Sequence, residues 1–151
     1  MKRFSFQSIQ NNNRMFYITR REVFNAAHRI FKEGWSDEKN LEMFGKCSNP
    51  NWHGHNYILY VTVKGEPDPI SGYVIDLKKL SAIIQEKIIE KTDHKNLNTE
   101  VEFMKGIPTS SENIAKAIFQ ILIPEVKKYG AQMHAVKIAE TENNYVEYFG
   151  D

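Results

Sequence analysis

The sequence predicts an α+β domain in which two antiparallel β-hairpins flank a pair of helices, in the order ββααββ. Two observations predict this arrangement. Apolar and polar residues alternate in four segments, and apolar residues recur at helical spacing in two segments between them. We expect a four-stranded antiparallel sheet with both helices on one face. The open edges of such a sheet favour oligomerisation through strand pairing.

The first hairpin is predicted at residues 15–28 and 55–65, where apolar residues alternate with polar ones. The second of these strands has the clearest alternation. We assign its aromatic residue Tyr57, and the apolar residues that follow on the same face, to the sheet core. The polar residues 31–46 lie between the two strands, and they predict a loop or a short helical excursion.

Two helices and a closing hairpin follow along the chain. Asp76 is a predicted N-cap, because its side chain can accept hydrogen bonds from the first free backbone N–H groups of a helix that runs to about residue 91. Thr109 and Glu112 have the spacing of a capping box at the start of the second helix. The last two strands are predicted at residues 131–140 and 144–149.

The composition is that of one ordinary globular domain. The 151 residues are 41% hydrophobic, with 20 basic and 19 acidic side chains, and this near-zero net charge argues against nucleic acid or a membrane surface as the main partner. We expect a single domain at residues 15–151 and a polar extension at residues 1–14 that has no apolar signal core. A single cysteine cannot form an internal disulfide, so we expect a reducing, cytoplasmic location.

Residues 44–57 carry the strongest functional signal, because they place the only cysteine close to a His-Gly-His motif. His53 and His55 lie two residues apart, so in a strand both imidazoles point to the same face. Five residues separate Cys47 from His53, on a turn rich in Ser, Asn and Pro. The thiol need not bind the same metal ion, and it could instead be a base or nucleophile held over a metal-bound substrate.

A metal site needs at least one more ligand, and His28, His94 and His134 are the candidates. Antiparallel pairing of the first two strands would bring the end of the first, with His28, close to His53 at the start of the second. Three neutral imidazoles and one open position are typical of catalytic zinc. By strand alternation His134 shares a face with Glu140, but nothing nearby completes a site, so we interpret it as structural.

Two further groups have the chemistry of an active site. Asp93 and His94 follow the first helix, where a loop could place His94 on a proton network whose carboxylate fixes its tautomer. Glu140 lies at the end of a strand on a partly apolar face, where a carboxylate needs a partner. A bidentate hydrogen bond to a guanidine-like edge of a ligand would satisfy it. A solvated loop histidine and an ordinary strand-end glutamate are the alternatives.

Together these residues resemble the 6-pyruvoyl-tetrahydropterin synthase family, over about residues 16–150. Each motif is weak alone, but their order along the chain is specific, and the resemblance strengthens the expectation of a metal site. The motifs are Phe24-x-x-x-His28-Arg29, residues 44–57, residues 72–77, Asp93-His94-Lys95-Asn96-Leu97, residues 109–115 and Glu140-Thr141-x-Asn143-Asn144.

The resemblance implies a tunnelling fold (T-fold), in which trimers join their sheets into a barrel and two trimers stack as a hexamer with sites at subunit interfaces. It also implies Zn²⁺ as the cofactor and 7,8-dihydroneopterin triphosphate as the substrate class. The implied roles are zinc binding by His28, His53 and His55, general base catalysis by Cys47, proton relay and pterin anchoring by Asp93, His94 and Glu140, and further pterin contacts by Ser110, Ser111 and Glu112.

Members of the family carry out competing reactions on this substrate. A 6-pyruvoyl-tetrahydropterin synthase, of tetrahydrobiopterin biosynthesis, keeps the three-carbon side chain and eliminates triphosphate. A 6-carboxy-tetrahydropterin synthase, of queuosine and deazapurine biosynthesis, also releases acetaldehyde. The five residues between Cys47 and His53 resemble the pyruvoyl type, whereas Ile75-Asp76 resembles the carboxy type and Trp52 stands where the pyruvoyl type often has Gly.

We therefore expect a lyase that cleaves a carbon–oxygen bond to triphosphate, with the carbon–carbon lyase of the carboxy type as the alternative. Outside the enzyme class, the alternative is a catalytically silent, zinc-stabilised oligomer that binds pterins. Its sequence signature would be a missing relay residue, and Cys47, Asp93 and His94 are all present.

Overall fold

The computed structural model describes residues 14–150, so residues 1–13 of the predicted extension lie outside it. A π-helical turn at Gln85–Ile89 joins the helix Leu77–Ile84 to the short helix Glu90–Thr92, so the three form one continuous helical segment. None of the helices at residues 14–150 is both long and apolar enough to cross a membrane. The elements are β1 (Phe16–His28), α1 (Asp37–Phe44), β2 (His53–Gly65), α2 (Leu77–Ile84), α3 (Glu90–Thr92), β3 (Lys95–Asn96), α4 (Ser111–Lys127), β4 (Gln132–Ala139) and β5 (Tyr145–Tyr148).

The strands form one five-stranded sheet in the order β3-β1-β2-β4-β5. The four longer strands pair antiparallel, which confirms the α+β class and both predicted hairpins. The predicted count of four strands is wrong, because β3 pairs parallel with β1 through Ala26↔Lys95 and Ala27↔Asn96. A strand of two residues is too short to show alternation in the sequence. The short helix α1, capped by Ser36, also adds an element to the predicted ββααββ order.

The hydrophobic core lies between one face of the sheet and the long helical segments, as predicted. The alternating apolar residues of β2 are fully buried, and they form one cluster with the apolar stripes of α2 and α4. On the opposite face of the sheet Tyr17 and Val23 are exposed. The central members of the core are Tyr57, Leu59, Val61, Val63, Leu80, Ile84, Ile114, Ile118 and Leu122.

A β-bulge in β4 decides the orientation of His134. The pairing of β2 with β4 shifts by one residue between Thr62 and Val63, so His134 is the extra residue on its strand. Its ring lies against exposed Tyr17, with the ring centroids 4.5 Å apart. The prediction that His134 shares a face with Glu140 is therefore wrong, because one inserted residue reverses the alternation of faces.

The N-cap of helix α4 lies one residue later than predicted. Ser110 is the N-cap residue, and its Oγ accepts a hydrogen bond from the backbone N–H of Asn113 at 3.4 Å. Thr109 is buried, and its hydroxyl donates to the backbone carbonyl of Arg29 at 3.2 Å. The predicted capping box of Thr109 and Glu112 is wrong, because the threonine side chain instead holds the chain that leaves β1.

Glu22 accepts three hydrogen bonds, and two of them join β1 to the helical layer. Its carboxylate accepts from Arg20 Nε at 2.7 Å, from Ser81 Oγ at 3.0 Å and from Gln85 Nε2 at 2.9 Å. Its side chain is only 11% exposed. Buried carboxylates are tolerated when they are fully hydrogen-bonded, and here the donors come from both layers.

We expect Glu22→Ala to lower the free energy of unfolding by about 2 kcal/mol, because it leaves partly buried donors without an acceptor. Urea denaturation at a fixed protein concentration measures this change. The matched control is Glu102→Ala, whose side chain is 90% exposed and lies 3.9 Å from Lys105 Nζ. That control should stay within about 0.5 kcal/mol of the unsubstituted protein. Equal stabilities for the two variants would contradict a structural role for the Glu22 network.

Candidate active site and metal centre

Three histidines meet where β1 ends and β2 begins. His28 stands directly opposite His53 in the antiparallel register, and His55 lies two residues further along the same face of β2. The ring centroids are 4.5 Å apart for His28 and His53, 5.1 Å for His28 and His55, and 5.0 Å for His53 and His55. Of the third-ligand candidates, the structure brings only His28 into this group; His94 and His134 lie elsewhere.

The tautomer of His28 is fixed by the segment that precedes α4. His28 is fully buried, and its Nδ1 lies 2.9 Å from the backbone carbonyl oxygen of Thr109. A carbonyl oxygen only accepts, so Nδ1 carries the proton and Nε2 keeps its lone pair. The carbonyl therefore orients the imidazole so that Nε2 faces His53 and His55.

Buried ring nitrogens in this group have no well-formed hydrogen bond, and the only charged group close to them in the described residues is the carboxylate of Glu140. Among residues 14–150, the buried side-chain polar atoms without a partner are Nε2 of His28, Nδ1 of His53, Nε2 of His55 and the hydroxyl of Tyr57. Buried polar atoms are normally satisfied, so a cluster of exceptions indicates a ligand. Burial, and then the neighbouring imidazoles, lower the pKa of His53, and burial lowers the pKa of His55. Neutral imidazoles are the form that binds metal ions.

Glu140 completes a group that could hold a metal ion. One ligand atom from each of His28, His53, His55 and Glu140 lies within 4.8 Å of the others. Glu140 Oε1 is 2.8 Å from His55 Nε2 and 3.6 Å from His28 Nε2, and Oε2 accepts a hydrogen bond from Ser111 Oγ at 2.6 Å. Three imidazoles and a carboxylate are a donor set that suits Zn²⁺.

Charge and hydrogen bonding keep Glu140 ionised. Contact with the His28 imidazole, and then the hydrogen bond from Ser111, lower the pKa of Glu140 to about 2, although burial opposes this shift. The sequence predicted Glu140 as an anchor for a ligand, and its place beside the histidines was missed. The available signal was the antiparallel register, because Ala139, the preceding residue, pairs with Ile58 of β2.

Cys47 lies on the short 3-10 turn Gly45–Ser48, and three hydrogen bonds hold this turn. The backbone carbonyl of Cys47 accepts a hydrogen bond from the backbone N–H of Ile30 at 2.9 Å. Arg29 Nε donates to the backbone carbonyl of Ser48 at 2.7 Å. Within the turn, Ser48 Oγ donates to the backbone carbonyl of Gly45 at 2.9 Å. The thiol is free and partly buried. The turn is therefore tied to the chain that leaves β1 immediately after His28.

One cavity of about 220 Å³ brings most of the remaining predicted residues together. Cys47 lies on one side of it, the start of α4 on another, and Glu140 connects it to the histidines. Both a thiol and an ionised carboxylate therefore border the same small space. The predicted site residues in its lining are Cys47, Ser110, Ser111, Glu112 and Glu140.

Asp93 and His94 border a different cavity, of about 780 Å³, which they share with His55 and Glu140. The two side chains are in contact, with His94 Nδ1 2.9 Å from Asp93 Oδ2. The backbone N–H of Asn25 donates to Asp93 Oδ1 at 2.8 Å. This bond, followed by the contact with His94, lowers the pKa of Asp93. The His94 side chain is 81% exposed, and within one chain it does not line the Cys47 cavity.

Two local backbone features position the histidines. Gly54 separates His53 from His55, and a Cβ at this glycine would lie 3.0 Å from the carbonyl oxygen of Ala26 on β1. A larger residue would therefore push the paired strands apart. Trp52 precedes His53 with a φ of 66°, and His94 has a φ of 58°. Non-glycine residues with positive φ are uncommon and are found preferentially at functional sites.

The site contains one residue that the sequence analysis placed only in the core. Tyr57 is fully buried, and its ring centroid lies 5.5 Å from that of His55 and 5.9 Å from that of His28. Burial, and then the negative charge of Glu140, raise the pKa of Tyr57. Its position two residues after His55 on the same strand face was the signal that could have identified it.

Comparisons with known proteins agree with this geometry. A model of the family described as 6-pyruvoyl tetrahydropterin synthase matches residues 17–151. A 6-pyruvoyl tetrahydrobiopterin synthase from Dictyostelium discoideum is 42% identical over 139 residues, which are 92% of this chain and 99% of that protein. The human protein of the same name is 43% identical over 134 residues, covering 89% of this chain and 91% of its own.

A solved structure extends the likeness to three dimensions. The 6-pyruvoyl tetrahydropterin synthase of Caenorhabditis elegans superposes with a TM-score of 0.84 at 40% identity, covering 92% of this chain and 98% of that one. Family, sequence and fold therefore agree over nearly the whole length. The resemblance inferred from the separated motifs is confirmed: this chain belongs to the 6-pyruvoyl tetrahydropterin synthase family, and it is a lyase.

Proposed function

We propose that this chain is a zinc-dependent 6-pyruvoyl-tetrahydropterin synthase that converts 7,8-dihydroneopterin triphosphate to 6-pyruvoyl-tetrahydropterin and triphosphate. The observation that carries this proposal is the convergence of three histidine nitrogens and the Glu140 carboxylate beside a cavity that contains a free thiol. Curated relatives at 42–43% identity bear the pyruvoyl name, which supports the choice of reaction. Metal binding and proton removal, the two parts of this proposal, depend on different side chains and can be tested separately.

The proposed ligands of Zn²⁺ are His28, His53 and His55, which leaves one position for the substrate. Bound there, zinc would supply Lewis-acid chemistry that acidifies the side-chain hydroxyls of the substrate and the adjacent C–H bonds. The Thr109 carbonyl keeps His28 in the tautomer that offers Nε2. Glu140, already ionised and adjacent, adds a negative charge that favours a cation in this group.

Cys47 is the proposed base, and it removes a proton from the side chain of the substrate. The electron pair of the broken C–H bond stays in the substrate, where it reduces the pterin ring as the hydroxyl-bearing carbons become ketones. Triphosphate departs with the electron pair of its C–O bond, so no external electron carrier is required. A thiolate needs a lowered pKa, and a neighbouring divalent cation would supply this.

Glu140 and the start of α4 are the proposed pterin contacts. The carboxylate of Glu140 accepts hydrogen bonds in a bidentate way from the 2-amino and N3–H edge of the pterin, which provides specificity through buried hydrogen bonds. Ser110, Ser111 and Glu112 line the same cavity and supply further polar contacts. Ser111 already orients Glu140 by donating to Oε2.

The proposed assembly is a hexamer of two trimers in which strand edges pair between subunits and join the sheets into a barrel. Its sites lie at subunit interfaces, where exposed Asp93 and His94 of one subunit provide the proton relay for Cys47 of another. Their separate cavity within one chain supports this arrangement. The free cysteine supports a reducing, cytoplasmic environment.

The second candidate is the 6-carboxy-tetrahydropterin synthase reaction on the same substrate, with loss of acetaldehyde, and Ile75-Asp76 is the feature that favours it. Incubation of the zinc-loaded protein with 7,8-dihydroneopterin triphosphate, followed by mass spectrometry, distinguishes the two. We expect 6-pyruvoyl-tetrahydropterin and triphosphate. Acetaldehyde together with a 6-carboxy product would establish the second candidate, and binding without any product would indicate a silent pterin-binding oligomer.

We expect Cys47→Ala to reduce turnover by a factor on the order of 10²–10⁴, because the step that breaks the C–H bond loses its base. Zinc content, measured by elemental analysis, and the oligomeric state, measured by light scattering, should be unchanged, because Cys47 is not a proposed ligand. Turnover equal to that of the unsubstituted enzyme would remove Cys47 from the mechanism.

We expect His53→Ala to lose most of the bound zinc and the activity while keeping its secondary structure, because the hydrophobic core does not depend on the ion. Elemental analysis and circular dichroism measure the two properties. The matched control is His134→Ala, which lies on the other face of the sheet and should retain zinc. Global unfolding of His53→Ala would instead show that the metal has a structural role.

A further inference from the structure

Tyr57 occupies a defined place in the row of side chains that forms the candidate metal centre. His53, His55 and Tyr57 alternate along β2, so all three face the same side of the sheet. The Tyr57 ring stacks on Phe24 of β1 with the centroids 4.9 Å apart, and the side chain is fully buried. The stacking on Phe24 and the burial restrict the ring, so the position of its hydroxyl is set by the β1–β2 pairing.

The hydroxyl of Tyr57 belongs to the same set of unsatisfied atoms as the metal ligands. In the part of the chain that the structure describes, the other buried side-chain polar atoms without a hydrogen-bond partner are the three histidine nitrogens. A metal ion bound by those nitrogens would account for them. A phenol still needs an acceptor for its proton. A ligand bound at the metal would bring such an acceptor into the site.

The surroundings of the hydroxyl indicate where that acceptor lies. The Tyr57 ring centroid lies 5.5 Å from that of His55 and 5.9 Å from that of His28, so the ring packs against the proposed metal ligands. In the proposed function, a metal held by these histidines would bind oxygens of the substrate side chain. These oxygens, next to the carbon that Cys47 deprotonates, would then lie beside Tyr57.

We propose that Tyr57 is a further catalytic residue, whose hydroxyl donates a hydrogen bond to an oxygen of the substrate side chain. The inference rests on the proposed function. As Cys47 removes the proton, negative charge develops on the adjacent oxygen, and the O–H group of Tyr57 stabilises it. The proton stays on Tyr57, and no bond to Tyr57 forms or breaks. A donor that is rigid and unpaired before the substrate arrives needs no reorganisation during the reaction.

The test compares Tyr57→Phe with Tyr60→Phe in the zinc-loaded enzyme. Tyr60 lies on the same strand but on the opposite face, beside Lys137. We expect Tyr57→Phe to lower kcat by about 100-fold with little change in KM, because the donor acts on charge that develops during the reaction. Tyr60→Phe should keep both constants, and the zinc content of both variants should equal that of the unsubstituted protein.

Thermal unfolding of the protein without substrate provides a readout that is independent of activity. Removal of a buried hydroxyl that has no partner removes an unsatisfied group, so Tm of Tyr57→Phe should be unchanged or higher. A fall in Tm of several degrees would show that the hydroxyl has a structural partner, such as a buried water molecule, and would overturn the proposal.

Two negative results can be told apart. If the unsubstituted enzyme turns over 7,8-dihydroneopterin triphosphate and Tyr57→Phe matches it within about two-fold, the catalytic role of Tyr57 is refuted and the proposed function stands. If the unsubstituted enzyme converts none of this substrate, the proposed function fails, and the role of Tyr57 fails with it.

Discussion

The register between β1 and β2 is the constraint on which the candidate site depends. An antiparallel ladder extends from Phe16↔Gly65 to His28↔His53, so the last pair of a long ladder is also the first pair of metal-ligand candidates. A slip of one residue would turn His53 and His55 to the opposite face of the sheet. The apolar residues of β2 oppose such a slip, because it would expose them to water. The core therefore fixes the geometry of the histidines, although most of it lies away from them.

Folding brings three imidazoles and one carboxylate together in a partly buried group. Buried polar atoms without a partner are unfavourable by about 1–3 kcal/mol each, so a ligand that satisfies the histidine nitrogens would stabilise the folded chain. A cation that binds only the folded chain stabilises it in proportion to the logarithm of its concentration. Stability and occupancy of the site are thus thermodynamically linked, even though the apolar core encodes the fold.

Local patterns predicted the parts of the molecule that depend on neighbouring residues. The start of α2 at Asp76 and the long strands follow from capping and alternation, and the grouping of His28 with the His-Gly-His motif needs only one strand pairing. Features that depend on contacts between distant segments were missed. These are strand β3, the bulge at His134 and the approach of Glu140 to the histidines. Each depends on how segments that are far apart in the sequence meet, and alternation within one segment carries no information about that.

The positive φ angles of Trp52 and His94 have a consequence for the evolution of this protein. Among residues 14–150 they are the two non-glycine residues in this conformation, and each is unfavourable by about 1–3 kcal/mol. One adjoins the first ligand of β2, and the other belongs to the proposed proton relay. Replacement of either residue by glycine would relieve the strain, so selection for stability alone would favour these changes. At His94 such a change would also remove the imidazole of the proposed proton relay, so at this position thermal robustness and catalytic function are in conflict.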